Sequence, residues 1–348
     1  MKRIAYIELD THAEIAQNFI EVMENSEIFT VDYYFSKKIR DQIKGEKVNI
    51  FLSDSSMILD QLRNQKYDLI IIGTVHRYFN TYLAVASKYN TAVIIHNLNF
   101  IRTSGVNLMK NILKEDWIYR LKLWWKEGLY YSSKIYKKAK SLLVLDRELG
   151  ASSFTYLPLF YTRKLKRNVN EHLVIGIPGG VSQKRRDYQH IFNTIKKLQP
   201  SETIEFIFLG KAKGEELEAI EKLYKELPSS IKIQYFTERV SPEDFDQLMT
   251  QVDVLWCPIQ QQTEFFSQKE WYGKTKMTGN IGDAIKYGKL AVFPSDYSSN
   301  LDFIFPEEED IIKQFRKLKE NTFDFSEKYS PEIVLEDIEE TLMHLIST

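Results

Sequence analysis

The sequence has little cysteine, almost no net charge and no long apolar run, and each shortage excludes a class of protein. Cys257 is the single cysteine among 348 residues, which excludes an internal disulfide and a cysteine-based zinc site. We therefore expect a reducing, cytoplasmic compartment. The 47 Lys and Arg residues nearly balance the 48 Asp and Glu residues, so bulk charge does not favour nucleic-acid binding. The longest aliphatic runs, such as Leu69–Ile72, are too short to cross a bilayer.

Short apolar runs alternate with helical patterns along the whole chain, which predicts an α/β fold with parallel sheets. The runs are continuous rather than alternating, as is typical of strands buried on both faces. The first half contains runs at residues 3–9, 30–35, 68–73, 91–96 and 141–145. The second half contains runs at 172–177, 203–209, 231–236, 253–258 and 290–294. Because the pattern restarts, we predict two Rossmann-like domains in tandem with a cleft between them.

The predicted boundary is the charged segment 158–170, which has neither helical nor strand periodicity. It divides the chain into a domain over residues 1–160, a second domain over 171–330 and a final helix over 331–348. Helix signals agree with this division. Thr11 and Glu14 have the spacing of a capping box after the first strand, and residues 188–198 and 242–250 are also predicted as helices.

A glycine-rich turn with basic neighbours follows the first strand of the second domain. Gly179 and Gly180 allow a ligand to approach the backbone, and the helix start that follows offers unpaired amides to a phosphate. Lys184, Arg185 and Arg186 add positive charge at the same place. The alternative is an ordinary turn with a solvated basic cluster. The turn lacks both the dinucleotide-binding and the P-loop fingerprints, so we expect a phosphate site of another type.

Two further segments of the second domain combine glycine with lysine. Gly210 and Lys211 end the next strand, where Lys211 is either a surface charge or a contact to a diphosphate. Within residues 270–294, Gly273, Gly279 and Gly282 surround Lys274 and Lys276. A helix is predicted to open near Asn280, with Asp283 in its first turn. A capping aspartate with solvated lysines is the alternative to a second anion-binding loop. The candidate donor-binding residues are Gly179, Gly180, Ser182, Arg185, Arg186, Lys211, Lys274, Lys276, Thr278, Gly279, Asn280 and Asp283.

Four segments of the second half resemble the donor domain of GT-B glycosyltransferases, most closely the retaining family 4. They are IPGGVSQKRRDY (177–188), FLGK (208–211), RVSPEDFDQLMTQVDVLWCPI (239–259) and KTKMTGNIGDAIKYGKLAVFP (274–294). Their order and spacing match those of the family over roughly residues 170–346. The resemblance implies a donor-binding second domain, an acceptor-side first domain, and transfer of a sugar from a UDP- or GDP-sugar to a saccharide acceptor in surface polysaccharide or glycan biosynthesis.

The resemblance also implies roles for single residues. Gly179 and Gly180 correspond to the loop that faces the donor diphosphate, and Arg185 or Arg186 with Lys211 to the basic pair that steadies the leaving group. Asp283 corresponds to the second acid of the family's paired-acid motif, which usually holds the ribose. The first acid falls at Thr275, so this chain departs from the family where the donor sugar is held, and backbone amides near residues 277–280 are candidates for part of that task.

No acidic pair of the DxD type ends a strand, so we expect no metal and no further cofactor. Two alternatives to a transferase remain open. One is a nucleotide-sugar epimerase, for which the sequence offers no convincing set of acids and bases. The other is a catalytically silent GT-B-like nucleotide-binding subunit, which the departure at Thr275 keeps open.

Three histidines of the first half follow predicted strands, where parallel topology would bring them to one sheet edge. They are His12, His76 and His96. The resemblance favours His96 as the catalytic candidate, since the family often keeps a histidine after this strand near the donor sugar. A structural hydrogen-bonding role is the alternative, and the capping box is the simpler explanation for the surroundings of His12.

Residues 106–140 are basic and aromatic, with nine basic against three acidic side chains and seven aromatic rings. Trp117, Trp124 and Trp125 lie along one predicted helical stripe that also contains Leu113, with Lys122 and Lys126 largely off it. Amphipathic helices of this composition bind anionic bilayer surfaces, and the resemblance adds lipid-linked acceptors. We therefore expect a peripheral location at the cytoplasmic face of the inner membrane; a core-facing helix is the alternative.

Overall fold

The structure is a computed structural model that describes residues 1–45, 49–110, 117–149, 154–164, 170–265 and 268–347. Within these ranges, no helix combines the length and the apolar character needed to span a bilayer. Leu113 and residues 165–169 of the predicted linker lie outside the described residues.

The first half forms a parallel sheet of seven strands in the order β3-β2-β1-β4-β5-β6-β7. The strands are β1 (Lys2–Glu8), β2 (Phe29–Phe35), β3 (Ile50–Leu52), β4 (Leu69–Ile72), β5 (Thr91–Ile94), β6 (Ser141–Val144) and β7 (Thr155–Tyr156). The helices of this half are α1 (Ala13–Met23), α2 (Lys37–Arg40), α3 (Ile58–Arg63), α4 (Phe79–Lys88), α5 (Leu98–Arg102), α6 (Gly105–Lys110), α7 (Trp117–Glu127) and α8 (Ser132–Lys138). Short 3₁₀ turns lie at Leu129–Tyr131 and Arg147–Leu149.

The second half forms a parallel sheet of six strands in the order β10-β9-β8-β11-β14-β15, and β12 and β13 pair as an antiparallel hairpin. The strands are β8 (Leu173–Pro178), β9 (Ile204–Lys211), β10 (Ile231–Phe236), β11 (Val254–Trp256), β12 (Gln262–Phe265), β13 (Gln268–Trp271), β14 (Ala291–Phe293) and β15 (Ile304–Pro306). The helices are α9 (Tyr188–Lys197), α10 (Gly214–Glu226), α11 (Pro242–Gln251), α12 (Gly279–Tyr287), α13 (Ile311–Glu320), α14 (Ser326–Tyr329) and α15 (Pro331–Ser347).

All ten predicted strands are present, and the prediction of two Rossmann-like sheets is confirmed. The strand order reverses between β1 and β4 in the first sheet and between β8 and β11 in the second. In doubly wound sheets, ligands bind beyond the carboxyl ends of the strands where the order reverses. We therefore expect a ligand to bind at the loops that follow these four strands.

The first helix begins one residue later than the capping box predicts. His12, not Thr11, is the N-cap of α1; it has a left-handed backbone (φ 61°), and its side chain does not cap the helix. The Glu8 carboxylate accepts the backbone N–H groups of Asp10 and Thr11, at 3.2 and 3.3 Å. Because these bonds hold the chain in a turn after β1, the predicted capping box is wrong.

Contacts of the predicted linker and of the final helix join the two halves. Arg163, in the predicted linker, pairs with Glu21 of α1 at 2.8 Å and with Asp246 of α11 at 3.3 Å. The final helix α15 returns to the first half, where α1 packs against it. Ser26, just after α1, donates a hydrogen bond to Glu339 of α15 at 2.5 Å. The two sheets are thereby held in one relative position, with their strand-end loops close enough to form a common site.

Candidate functional site

The loop after β8 packs beneath an arginine side chain. Gly179 has a φ of 98°, and a Cβ at this position would lie 2.1 Å from Arg186 Nη2. Arg186 Nη1 donates to the Gly180 carbonyl at 3.4 Å. The Nε of Arg186 is buried and has no hydrogen-bond partner among the described residues. The guanidinium therefore lies on the glycine loop, and its buried Nε has no partner there.

Arg186 is held in this place by its own backbone. It forms an isolated antiparallel bridge with Ile259, which follows β11. The next residue, Asp187, donates its N–H to the Pro258 carbonyl at 2.7 Å. Arg186 thus connects the loops after β8 and β11, the two central strands between which the strand order reverses.

The start of α12 is fixed against the end of β8. Thr278 is the N-cap and accepts the N–H of Asn280 at 3.4 Å, while Asn280 Nδ2 donates to the Pro178 carbonyl at 3.3 Å. A Cβ added to Gly279 would meet nothing within 4 Å, so the first residue of the helix borders open space. A helix start beside an unused guanidinium donor is a favourable environment for a phosphate.

Asp283 lies close enough to Arg186 for the two side chains to interact electrostatically. It is the fifth residue of α12, just past the first turn in which it was predicted. Burial raises its pKa to about 6, against the opposing charges of Lys286 and Arg186 and a 3.5 Å hydrogen bond from Asn280. Burial also raises the pKa of the Cys257 thiol, on which Asp283 and Arg186 act in opposite directions. Arg186, Asp283 and Cys257 therefore form one electrostatic neighbourhood.

Other predicted donor-site residues have different surroundings. The Lys211 ammonium pairs with Glu238 at 3.0 Å, although its carbonyl accepts the N–H of Val181 beside the glycine loop. Arg185 is exposed, and the Ser182 carbonyl closes the turn by accepting N–H groups at 3.1 Å. A contact of Lys211 with a diphosphate stays a prediction, and it requires the pair with Glu238 to open.

The segment around Thr275 docks on the first domain. Thr275 Oγ1 accepts the N–H of Trp271 at 2.8 Å, and the Thr275 carbonyl accepts the N–H of Leu98 at 2.8 Å. Its hydroxyl thus closes a turn at the position where the family has an acid. Lys274 lies 5.9 Å from the centre of the Trp271 ring, so its side chain rests on this turn.

Sequence reasoning missed the buried carboxylate of Glu270, which organises this turn. Glu270 accepts Lys276 Nζ at 3.0 and 3.1 Å, Asn97 Nδ2 at 2.9 Å and the Thr263 hydroxyl at 2.8 Å. Lys276 is therefore neutralised rather than free for an anion. The feature of the sequence that could have identified Glu270 is its position six residues before Lys276 in a glycine-rich segment.

The three predicted histidines do lie together, at the carboxyl edge of the first sheet. The rings of His12 and His96 stack with centroids 3.9 Å apart, and His76 lies 6.2 and 5.9 Å from them. His96 Nε2 donates to the Gly73 carbonyl at 2.8 Å. Burial lowers the pKa of His76 to about 3 and that of His96 well below its ordinary value, so both rings are neutral.

A second missed carboxylate, Glu8, lies beneath the histidines. Its side chain is fully buried at the end of β1 and accepts the Thr74 hydroxyl at 2.6 Å. The same hydroxyl lies 3.4 Å from His96 Nε2. Burial raises the pKa of Glu8 to about 7, despite the hydrogen bonds from Thr74, Asp10 and Thr11 and the charge of His12. Glu8 reads in the sequence as an ordinary charged residue at a strand end.

Helix α7 exposes the apolar side that a core-facing helix would bury. Ile118 and Trp125 are 69% and 86% exposed, and Trp117 and Leu121 lie on the same exposed face. The predicted single stripe is wrong in one respect, since Trp124 packs towards the core instead, alongside the buried Leu123. Lys122 and Lys126 are exposed beside the apolar face.

The end of α7 is tied to the cleft edge of the first sheet. Glu127, the last residue of α7, accepts hydrogen bonds from the Nε and Nη2 of Arg77, which follows β4, and one from the Tyr78 N–H at 3.0 Å. The carboxyl end of α7, and with it one end of the exposed face, therefore lies close to the loops that border the candidate site.

Comparison with solved structures identifies the class of fold. The chain is similar to the lipopolysaccharide outer core galactosyltransferase WaaB (12% identity, TM-score 0.55, 98% of this chain and 99% of that chain). It is also similar to AviGT4, a glycosyltransferase involved in avilamycin A biosynthesis (8%, 0.56, 100% and 98%), and to the UDP-GlcNAc 2-epimerase from Methanocaldococcus jannaschii (11%, 0.52, 98% and 99%). The fold is therefore GT-B, and the predicted resemblance to GT-B glycosyltransferases is confirmed at that level.

No family model and no curated protein sequence matches the chain. At identities of about a tenth, the structural likeness establishes the fold alone, and membership of family 4 stays a prediction.

The buried Glu8 predicts how stability depends on pH. A carboxyl whose pKa rises from 4.5 to about 7 on folding stabilises the native state fully below about pH 4.5, and this contribution is lost as the pH rises through 7. As the pH rises from 4.5 to about 8, the free energy of unfolding measured in urea should therefore fall by about 3 kcal/mol less in Glu8→Gln than in wild type. Asp283 is unchanged in both proteins and cancels in the difference. If the free energy of unfolding depends on pH in the same way in both proteins, folding does not raise the pKa of Glu8.

Proposed function

We propose that the protein is a glycosyltransferase that moves a sugar from a UDP- or GDP-sugar to a saccharide acceptor in surface polysaccharide or glycan biosynthesis, without a metal. The observation that carries this proposal is the position of the Arg186 guanidinium. It lies over the Gly179 loop with its Nε unpaired among the described residues, next to Asp283 and the start of α12. The GT-B fold supports a nucleotide sugar as the donor.

The chemistry follows from charge development on the leaving group. Breaking the bond between the anomeric carbon and the diphosphate leaves negative charge on the phosphates. Arg186 and the first amides of α12 are preorganised donors that stabilise this charge as it builds. No metal is needed for that task, because a guanidinium and a helix start already supply positive charge. The resemblance to family 4 predicts that the anomeric configuration is retained.

Arg186 and Arg185 are matched variants for this donor site. We expect Arg186→Ala to weaken the binding of UDP or GDP by about 10- to 100-fold, since a charge-assisted hydrogen bond contributes about 1.5–3 kcal/mol. Arg185→Ala removes an exposed neighbour of equal charge and should change affinity little. Isothermal titration calorimetry with both nucleotides in EDTA measures the effect. If both variants lose nucleotide affinity equally, the nucleotide binds to a general basic surface and not specifically at Arg186.

Product analysis separates the transferase from the two alternatives. Slow hydrolysis of one nucleotide sugar without acceptor supports a transferase. The cleft does contain histidines and carboxylates, including His12 and Glu14, which are the groups that an epimerase needs, and an isomerised donor would support that reading. Tight nucleotide binding without turnover of any UDP-, GDP- or TDP-sugar would indicate a silent subunit.

We further propose that α7 binds an anionic membrane surface, which would bring the enzyme to a lipid-linked acceptor. Its exposed Trp117, Ile118, Leu121 and Trp125 form an apolar face with lysines at its border. Apolar burial in the interface combined with attraction to anionic headgroups is the usual basis of peripheral binding.

Liposome flotation tests this second proposal. Wild type should float with phosphatidylglycerol vesicles, whereas Ile118→Glu combined with Trp125→Glu should remain in the lower fraction, since both side chains are exposed and their loss spares the core. Lys122→Glu with Lys126→Glu should lower flotation as well. Tyr224→Glu, at an exposed aromatic residue on α10, is the control. Equal flotation of all variants would exclude α7 as the contact.

A further inference from the structure

Tyr78 has a backbone conformation that needs a reason. It is the N-cap of α4, and its φ of 54° is left-handed, a region that costs a bulky residue energy. The Glu127 carboxylate holds this turn by accepting the Tyr78 N–H at 3.0 Å. Tyr78 follows β4, one of the two strands between which the order of the first sheet reverses. Because strained residues concentrate at functional sites, the placement of the Tyr78 ring is a first sign of a ligand.

Charged side chains surround the Tyr78 ring. The guanidinium carbon of Arg77 lies 4.7 Å from the ring centre. Arg77 Nη1 lies 3.6 Å from Asp10 Oδ1, and Lys38 Nζ lies 3.8 Å from the same oxygen. Both distances are longer than a hydrogen bond. The Asp10 side chain is only 16% exposed, so its carboxylate is held in place and can still accept a hydrogen bond from a hydroxyl group.

A second tyrosine reaches this group from α7. Tyr119 lies eight residues before Glu127, on the same side of the helix, and is 46% exposed. Burial raises the pKa of the Tyr119 phenol, and the charges of Arg77 and Asp10 also act on it, so Tyr119 lies near these two side chains. We call Asp10, Arg77, Tyr78 and Tyr119 the tyrosine shelf.

The tyrosine shelf lies between the three clustered histidines and the outer face of α7. His12 follows Asp10 by two residues, His76 precedes Tyr78 by two, and the rings of the two histidines are 6.2 Å apart. On the other side, Tyr119 belongs to the helix for which membrane contact is proposed above. A ligand that extends from a membrane surface to the cleft would therefore pass the shelf.

The charges of the shelf favour a neutral ligand over a phosphate. Arg77 donates to both oxygens of Glu127 and lies beside Asp10, so its charge is already compensated. A phosphate would meet the two carboxylates and be repelled. A sugar ring suits the same groups, because its C–H face packs on an aromatic ring while its hydroxyls donate to a carboxylate.

We infer that the tyrosine shelf binds a sugar ring of the saccharide acceptor, with the C–H face of that ring on Tyr78 and Tyr119 and a hydroxyl hydrogen-bonded to Asp10. This inference rests on the proposed function and assigns residues to its acceptor. The shelf orients the saccharide so that its end enters the cleft beside the histidines, while a lipid attached to its other end stays near α7.

Saturation-transfer NMR with the methyl glycosides of glucose, galactose, mannose and N-acetylglucosamine tests the shelf. These probes have no lipid tail, so they do not report on the apolar face of α7. With wild type, saturation should pass to the C–H protons on one face of at least one glycoside. For that glycoside, Tyr119→Ala should raise the dissociation constant about 3- to 10-fold, the scale of one aromatic contact. Tyr119→Phe, which keeps the ring, should bind as wild type does.

Further variants test the rest of the shelf. Glycine adopts a φ of 54° without strain, so Tyr78→Gly removes the ring and keeps the turn. Tyr78→Gly and Asp10→Asn should both weaken glycoside binding and leave the affinity for UDP or GDP unchanged. Trp125→Ala is the matched control, because this ring is on the same helix and 86% exposed but faces away from the shelf; it should bind glycoside as wild type does.

The outcomes separate the shelf from the proposed function. No saturation transfer to any of the four glycosides, or equal affinity in wild type and Tyr119→Ala, would overturn the shelf even if wild type hydrolyses a nucleotide sugar. Glycoside binding that depends on Tyr119, in a protein that binds neither UDP nor GDP, would count against the transferase and leave the saccharide site in place.

Discussion

The packing of the Arg186 guanidinium on the Gly179 loop is the contact on which the rest of the candidate site depends. It requires glycine at position 179, because a Cβ there would lie 2.1 Å from Arg186 Nη2. It requires equally close packing from β9, since a Cβ on Gly210 would lie 2.4 Å from the Gly179 carbonyl oxygen. The chain therefore brings a permanent cation to bare backbone at the strand end where an open α/β sheet binds its ligand.

Contacts between the domains determine what faces this cation. The turn after β13 is anchored by Glu270, which binds Asn97 of the first domain and Lys276 of the second. Burial of that carboxylate would be costly without these partners. Lys276, although paired with Glu270, lies near enough to His76 and His96 to add to the lowering of their pKa by burial. The cleft thus combines the Arg186 cation of the second domain with a cluster of imidazoles and carboxylates of the first, although the two sets of residues are distant in sequence.

The sequence predicted the ten main strands, the two sheets and the clustering of His12, His76 and His96, because buried parallel strands are continuous apolar runs and their loops meet at one edge. It missed β3, β7 and β15, which have two or three residues at or near sheet edges, and the polar hairpin β12–β13, since such short segments lack periodicity. It also misplaced the start of α1 and did not single out Glu8 or Glu270. Those carboxylates act through long-range hydrogen bonds to Thr74 and Asn97, which no local pattern reveals.

The most direct test of the donor site is a crystal structure with UDP or GDP bound in the absence of divalent metal. We expect the diphosphate oxygens to contact the Arg186 guanidinium and the first amides of α12, with the ribose near Asp283. A nucleotide bound elsewhere, with Arg186 still resting on an empty glycine loop, would contradict the proposed role of this contact.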